Sequence, residues 1–312
     1  MRPHRAARAF CPGHISTFFA PRGNPEDPDT RGSVGSGFSV KSGVTTSIEV
    51  STSGARQERG APFGLAVLDN GQAPASLEIS FKVLVHLGSL AGWPGRWPRR
   101  IGIQNEYALP LGAGFGVSGG LALALALAAN EALEFGLPRS TCVRVAHWAD
   151  AAAGTGLGDV SAQSVGGFEI RTKETPPPRG KIMKLPTRND DVVVVSFGPR
   201  PTRAILQNPA GMDTLTQVGE RCLSKLRRSP SLRASTRLGR EFAEELGLVS
   251  PRAAELMRAV GPKVPSSVAM LGDSVFFLGG DAVEAKVRAE AGDAFVLRTR
   301  IDPRGARLLK SP

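Results

Sequence analysis

The sequence predicts a mixed α+β protein built as two lobes, and three observations carry that expectation. The first third places β-branched residues at alternating positions, as in "GVTTSIEVSTS" around Val44–Val50. The middle holds a glycine-rich turn that opens an Ala/Leu run, from Val117 onward, too long for a strand. Strands and helices then follow one another without a regular βαβ rhythm, which favours α+β over a doubly wound sheet. A chain of 312 residues has ample length for two cores.

Taken in order, "MRPHRAARAF" is basic with no apolar stretch behind it. Residues 1–10 therefore read as an N-terminal extension and not as a secretory leader. "GLAVLDNG" reads as a strand entering an Asp-Asn-Gly turn, and the alternation in "SLEISFKVLVHL" from Ser76 reads as another strand. "AGWPGRWPRR" (Ala91–Arg100) is a loop by its Pro and Gly content, with partly buried indoles. Base stacking on Trp93 and Trp97 is the weaker alternative.

"RIGIQNEYAL" reads as a strand, and a helix is expected from Val117 to Phe135, stopped by Gly136 and Pro138. Its apolar run of about 13 residues falls short of the ~20 that a membrane span needs, so it is a buried helix. A second helix is expected with Ser140 as its cap, running through "TCVRVAHWADAA" into "GTGLGD". The strand "GGFEIR" follows. The prolines of "KETPPPRG" can continue neither a helix nor a central strand, which sets a boundary between domains at 11–175 and 181–312. The second half opens on the buried strand "DVVVVSF". Helices are expected around Thr214–Arg228, Thr236–Leu246 and Pro251–Val260, and strands in "SVAMLGDSVFFLGG" and "AFVLRTRI".

A net charge of +11, carried mostly by Arg, favours an anionic partner or simply a basic solvated surface. On charge alone a small phosphorylated metabolite, a nucleic acid and a membrane surface all stay open, although the basic residues are spread along the chain with no recognised nucleic-acid module, which weighs against nucleic acid. Cys11, Cys142 and Cys222 are odd in number and far apart, with no CxxC pair. That supports neither a zinc site nor a disulfide framework and suggests a reducing, cytoplasmic compartment. Oligomeric state is not readable, and a homodimer stays open.

The stretch with most chemistry is "PLGAGFGVSGG" (Pro110–Gly120), five glycines and a serine in eleven residues. Gly114, Gly116 and Gly119 fit GxGxxG, a weak signal on its own. A Walker loop needs a Gly-Lys-Ser/Thr end, and no lysine occurs from residue 83 to 172. The remaining functional reading is a phosphate cradle of amides at a helix N-terminus. Gly112, Gly114, Phe115, Gly116, Val117, Ser118, Gly119 and Gly120 would then surround a nucleotide. The competing reading is that the glycines only let a helix pack closely on a sheet.

These residues resemble the nucleotide-binding motif of the GHMP kinases, which include galactokinase, homoserine kinase and mevalonate kinase. The likeness is closest to the archaeal pantoate kinase branch, whose loop carries Gly-Phe-Gly-x-Ser-Gly. "CPGHISTFFAP" (Cys11–Pro21), "GTGLGDVSAQSVGGFEIR" (Gly154–Arg171) and "SSVAMLGDSVFFL" (Ser266–Leu278) are similar to that branch's other motifs, in the same order. The resemblance implies the two-lobed GHMP fold with nucleotide between the lobes. It also implies transfer of the ATP γ-phosphoryl to the 4-hydroxyl of pantoate, with Mg²⁺, in coenzyme A synthesis; a kinase for mevalonate, homoserine or another small alcohol is the alternative. On that resemblance the expected partner is a small molecule, with neither nucleic acid nor membrane.

On that resemblance Asp159, in the Asp-x6-Gly-Gly spacing, is the expected catalytic base. Ser118 and Asp150 are the expected metal ligands, with Asp150 standing where the family's glutamate does and Glu131 a rival farther along the helix. His14, Ser16 and Thr17 are expected to touch substrate or shape its pocket. Arg31, beside a glycine-rich segment, suits a substrate carboxylate because guanidinium binds carboxylates bidentately. His147 and Asp273 are expected to be structural.

Overall fold

The computed structural model describes residues 4–51, 63–93, 97–98, 100–176, 179–187, 190–200 and 209–310. Met1–Pro3, Arg96, Arg99, Pro177 and Pro178, to which expectations were attached above, lie outside these residues. Two sheets organise the chain. The larger has seven strands, with β1 (His4–Arg22), β2 (Gly32–Ser51), β4 (Arg100–Tyr107) and β3 (Gly64–Asp69) side by side. Edge strand β11 (Arg307–Leu309) pairs with β1, and β5 (Phe168–Lys173) joins β2 to β6 (Lys181–Leu185). The smaller sheet runs β10 (Phe295–Arg300), β7 (Asp191–Gly198), β9 (Asp273–Leu278), β8 (Ser266–Val268).

The β1–β2 hairpin ties the two halves together. The first half of β1 buries Ala7, Ala9 and Cys11 in one core with α1 (Glu78–Leu90), α2 (Val117–Ala132) and α3 (Arg139–Ala152). Its second half buries Ile15, Phe18 and Phe19 in the other core, with Val192–Val195 of β7 and Phe276 and Phe277 of β9. Helices α5 (Pro209–Arg228), α6 (Leu232–Glu245), α7 (Pro251–Val260) and α8 (Asp281–Glu290) cover that half, and α5 and α6 also pack on β1. Register shifts at Pro12/Gly13 and Ser16/Phe18 bend β1 between the cores.

Several expectations are corrected. Residues 78–90 form a helix, not a strand. Tertiary packing selects the 3.6-residue period, burying Val83, Leu84 and Leu87 and leaving Phe81 and Val85 exposed. The N-terminal residues are no extension from His4 onward, because Arg5–Phe10 pair along β2. β6 and β11 lie past the boundary drawn at the prolines, yet both pair within the first sheet. Ser140 caps nothing: Pro138 is the N-cap of α3, while Arg139 donates to the carbonyls of Ser164 and Ala306. The loop indoles do pack inward, Trp93 on Phe135 at 4.8 Å and Trp97 on Phe63 at 4.5 Å. Among the described residues no helix is long and apolar enough to cross a membrane, and all three cysteines are buried thiols.

Candidate active site

The glycine turn and the bend of β1 meet where the two cores join. Gly112, Gly114 and Gly116 have φ of 71°, 82° and 62°, conformations that a Cβ would strain. A Cβ on Gly114 would also sit 2.7 Å from the Met270 carbonyl oxygen, so the turn lies flat on the β8–β9 connection. Gly116 is the N-cap of α2, and no side chain caps that helix, leaving its first amides for another partner. The packing reading of the glycines therefore holds for part of the run, and the free amides are what the phosphate reading requires. Gly119 and Gly120 are buried packing positions whose Cβ atoms would meet Val160 and Val44, 3.0 and 3.1 Å away. Phe115 and Val117 turn their side chains into the core, so each has only its main chain to offer a nucleotide.

Asp150, in the last turn of α3, is buried, with its carboxylate oxygen 3.2 Å from the Cβ position of Gly119. It accepts hydrogen bonds from Thr155 Oγ1 at 2.6 Å and from Ser118. Burial pushes its carboxyl up to about 6, and the nearby Asp159 charge adds to the rise. The expected metal pair, Ser118 and Asp150, is thus brought together. Glu131 is exposed at the far end of α2 and shares no site with them.

Asp159 is the first residue of α4 (Asp159–Val165) and keeps 24% of its side chain exposed. His14, wholly buried on β1, donates from Nδ1 to Asp159 Oδ1 at 2.7 Å. Its Nε2 lies 3.2 Å from Glu169 Oε1 on β5, and Arg171 donates to that same Glu169 oxygen. A buried line of alternating charge results: Asp159, His14, Glu169, Arg171. Burial disfavours the Asp159 carboxylate, yet the His14 hydrogen bond and the charges of His14 and Arg171 hold it below its usual range. Burial likewise opposes the imidazolium of His14, and Glu169 with Asp159 raises it all the same.

The expected substrate contacts divide. His14 cannot face a substrate, since both ring nitrogens are taken and the ring is fully buried. Thr17 is corrected too: its hydroxyl donates to the Ser36 carbonyl at 3.0 Å and meets Ser235 Oγ at 2.7 Å beneath α6. Ser16 remains partly exposed. Arg31 is also partly exposed, and its charge lowers the Asp150 carboxyl. Its carbonyl accepts from His147 Nε2 at 2.8 Å, which gives that buried histidine a structural role, held neutral by burial. Asp273 accepts from Ser250 Oγ at 2.6 Å, which itself caps α7.

Three residues escaped the sequence reading. Glu169 and Arg171 stood in "GGFEIR", read only as a strand. Two opposite charges at i and i+2 share one strand face, and that pairing was the available signal. Gln163 donates to the carbonyls of Pro12 and Gly116, at 2.8 Å each, and so fastens α4 to both the β1 bend and the glycine turn. Nothing in the local sequence marks it.

Residues 81–167, which contain this turn and both aspartates, match the family model for the GHMP kinases N terminal domain. The chain is 32% identical to a pantoate kinase of Methanospirillum hungatei, covering 96% of each. It is 30% identical to one of Methanocaldococcus jannaschii, covering 86% of this chain and 90% of that one. A solved structure described as a phosphotransferase related to the CoA biosynthesis pathway superposes with a TM-score of 0.83 at 27% identity, over 97% of this chain and 98% of that one. On sequence, fold and the motifs around its glycine turn, this chain belongs to the pantoate kinase family of the GHMP kinases.

Proposed function

We propose that this chain transfers the γ-phosphoryl group of ATP to the 4-hydroxyl of pantoate, with Asp159 as base. One observation carries the assignment of roles. The partly open carboxylate of Asp159 stands beside the first turn of α2, where uncapped amides and Ser118 await phosphate oxygens. Phosphoryl transfer asks little covalent help of a protein, chiefly alignment and charge neutralisation.

In the reaction the pantoate hydroxyl oxygen forms a bond to the γ-phosphorus, and the bond from that phosphorus to the β,γ-bridging oxygen breaks. Its electron pair leaves with ADP. The hydroxyl proton passes to Asp159 Oδ2, since Oδ1 is held by His14. Main-chain amides from Gly114 to Ser118 orient the phosphates. Arg31, partly exposed and near enough for its charge to lower the Asp150 carboxyl, binds the pantoate carboxylate. Hard oxygen donors suit magnesium, which keeps several waters, so Ser118 and Asp150 suffice to hold it. Bound there, it supplies charge neutralisation to the phosphates.

The test is ADP release by the purified protein with Mg²⁺-ATP, offered pantoate, mevalonate, homoserine or no acceptor. ADP formed with pantoate alone, with a phosphopantoate product by mass, is expected. Turnover on another alcohol would keep the phosphate cradle and replace the substrate. No turnover and no ATP binding would reduce the glycines to packing residues.

A further inference from the structure

We infer that His14 is a positioning residue, clamped between Asp159 and Glu169, that fixes the Asp159 carboxylate so that only Oδ2 is free for the acceptor hydroxyl. This rests on the phosphotransfer reading above and adds to it a residue, and a second carboxylate, that touch no substrate.

The geometry is over-determined in a way that core packing does not require. His14 main chain is pinned by its N–H to the Phe115 carbonyl at 2.9 Å, which locks β1 to the glycine turn. Its ring is pinned at both nitrogens, 2.7 Å from Asp159 and 3.2 Å from Glu169. A ring with a carboxylate at each nitrogen donates twice, which only the imidazolium does. Glycine at position 37 makes room: a Cβ there would stand 2.6 Å from His14 Nε2. Gly116 does the same on the other side, its Cβ position 3.2 Å from His14 Cβ and 3.3 Å from Asp159 Cβ. A larger residue at either glycine would push the ring off one of its carboxylates.

The charges facing the ring can be counted. Asp159 comes from α4, and Glu169 and Arg171 come from β5. β2 and the glycine turn present Gly37 and Gly116 at the ring, with no ionisable side chain between them. Two carboxylates therefore face two cations, and the buried line is neutral as a whole. Removing Glu169 would leave His14 and Arg171 facing one carboxylate. Removing His14 would leave Asp159 with only the more distant Arg171. The second carboxylate explains how a histidine, and not a permanently charged side chain, serves as the partner of Asp159: Glu169 keeps it charged.

Three measurements on the full chain test this. In ¹⁵N-labelled wild-type protein without ligands, His14 should carry a proton on both ring nitrogens at pH 7. A single protonated nitrogen would overturn the clamp whatever the enzyme's substrate. In Glu169→Gln, the alkaline limb of the kcat profile should move to lower pH, because His14 loses its charge more easily. In His14→Gln, kcat should fall about 100-fold with KM for ATP unchanged. Its acid limb should rise by about one to three pH units, the shift expected when an aspartate loses an adjacent cation. A structural role alone would reduce activity equally at every pH, and limbs that stay in place in both variants would overturn the proposal. Absence of pantoate turnover in the wild type would instead strike the functional reading and leave the ¹⁵N result standing.

Discussion

Asp150 and Asp159 border the same glycine turn, one ending α3 and one starting α4, and their surroundings pull them in opposite directions. Asp159 has His14 on one oxygen and Arg171 nearby, and it stays ionised below the ordinary carboxylate range. Asp150 is the more deeply buried of the two and has hydroxyl donors for near neighbours, Thr155 and Ser118, so its carboxyl climbs to about 6. The protein thus pairs one aspartate directly with a cationic side chain of its own and gives the other only the weaker pull of Arg31, which leaves room for the proposed metal ion. That is the division of labour a base and a metal ligand need. A base must be ionised before the substrate arrives, whereas a metal ligand gains from a site that remains electrostatically unfinished until the ion binds.

The largest test of this contrast is Asp159→Asn. It should lower kcat by about 100- to 10,000-fold while leaving the thermal shift produced by Mg²⁺-ATP in place. Unchanged turnover would remove Asp159 as the base and make the His14 pairing purely structural. Arg31→Ala should raise KM for pantoate by about 10- to 100-fold, the loss expected for hydrogen bonds to a charged group. An unchanged KM would move the carboxylate anchor elsewhere.

Asp150→Asn sharpens the other side. In the native protein the folded carboxyl titrates above its unfolded value, so the folded state holds the extra proton between about pH 4 and 6. Its stability contribution therefore falls as pH rises through that window, and the whole penalty is present above it. The variant should show a higher Tm than wild type at pH 8 without metal, lower activity, and no further rise in Tm with Mg²⁺. A lower Tm than wild type would mean that Asp150 is held by its hydroxyl donors more than it is penalised by burial. The smallest effect is expected on the surface. Arg240 Nε meets Glu244 at 2.9 Å on the exposed side of α6. Arg240→Ala should change stability by no more than about 0.5 kcal/mol in denaturant melts.

Read from residues alone, the strands with clean alternation or fully apolar runs were legible, β2, β4 and β7 among them, because one or both faces of each are buried. The glycine turn and its serine were legible because five glycines in eleven residues mark a special backbone, while the two aspartates were picked out only through the resemblance to the GHMP kinases. The failures have physical causes. "SLEISFKVLVHL" satisfies a period of 2 and a period near 3.6 at once. What settled it was the surface of α2 and α3, which accepts Val83, Leu84 and Leu87 together. His14 was placed at the site but facing the wrong way, since its two carboxylate partners lie 145 and 155 residues away in the chain.

The sequence by itself determined the local chemistry: where the backbone must turn through positive φ and which helix opens on free amides. Only the tertiary structure decided how the nearby carboxylates are charged. Ionisation depends on burial and on partners brought in by distant strands, and no local pattern encodes either. The fold gave Asp159 a buried imidazolium and gave Asp150 none, and that difference in charge is what the proposed roles of base and metal ligand rest on.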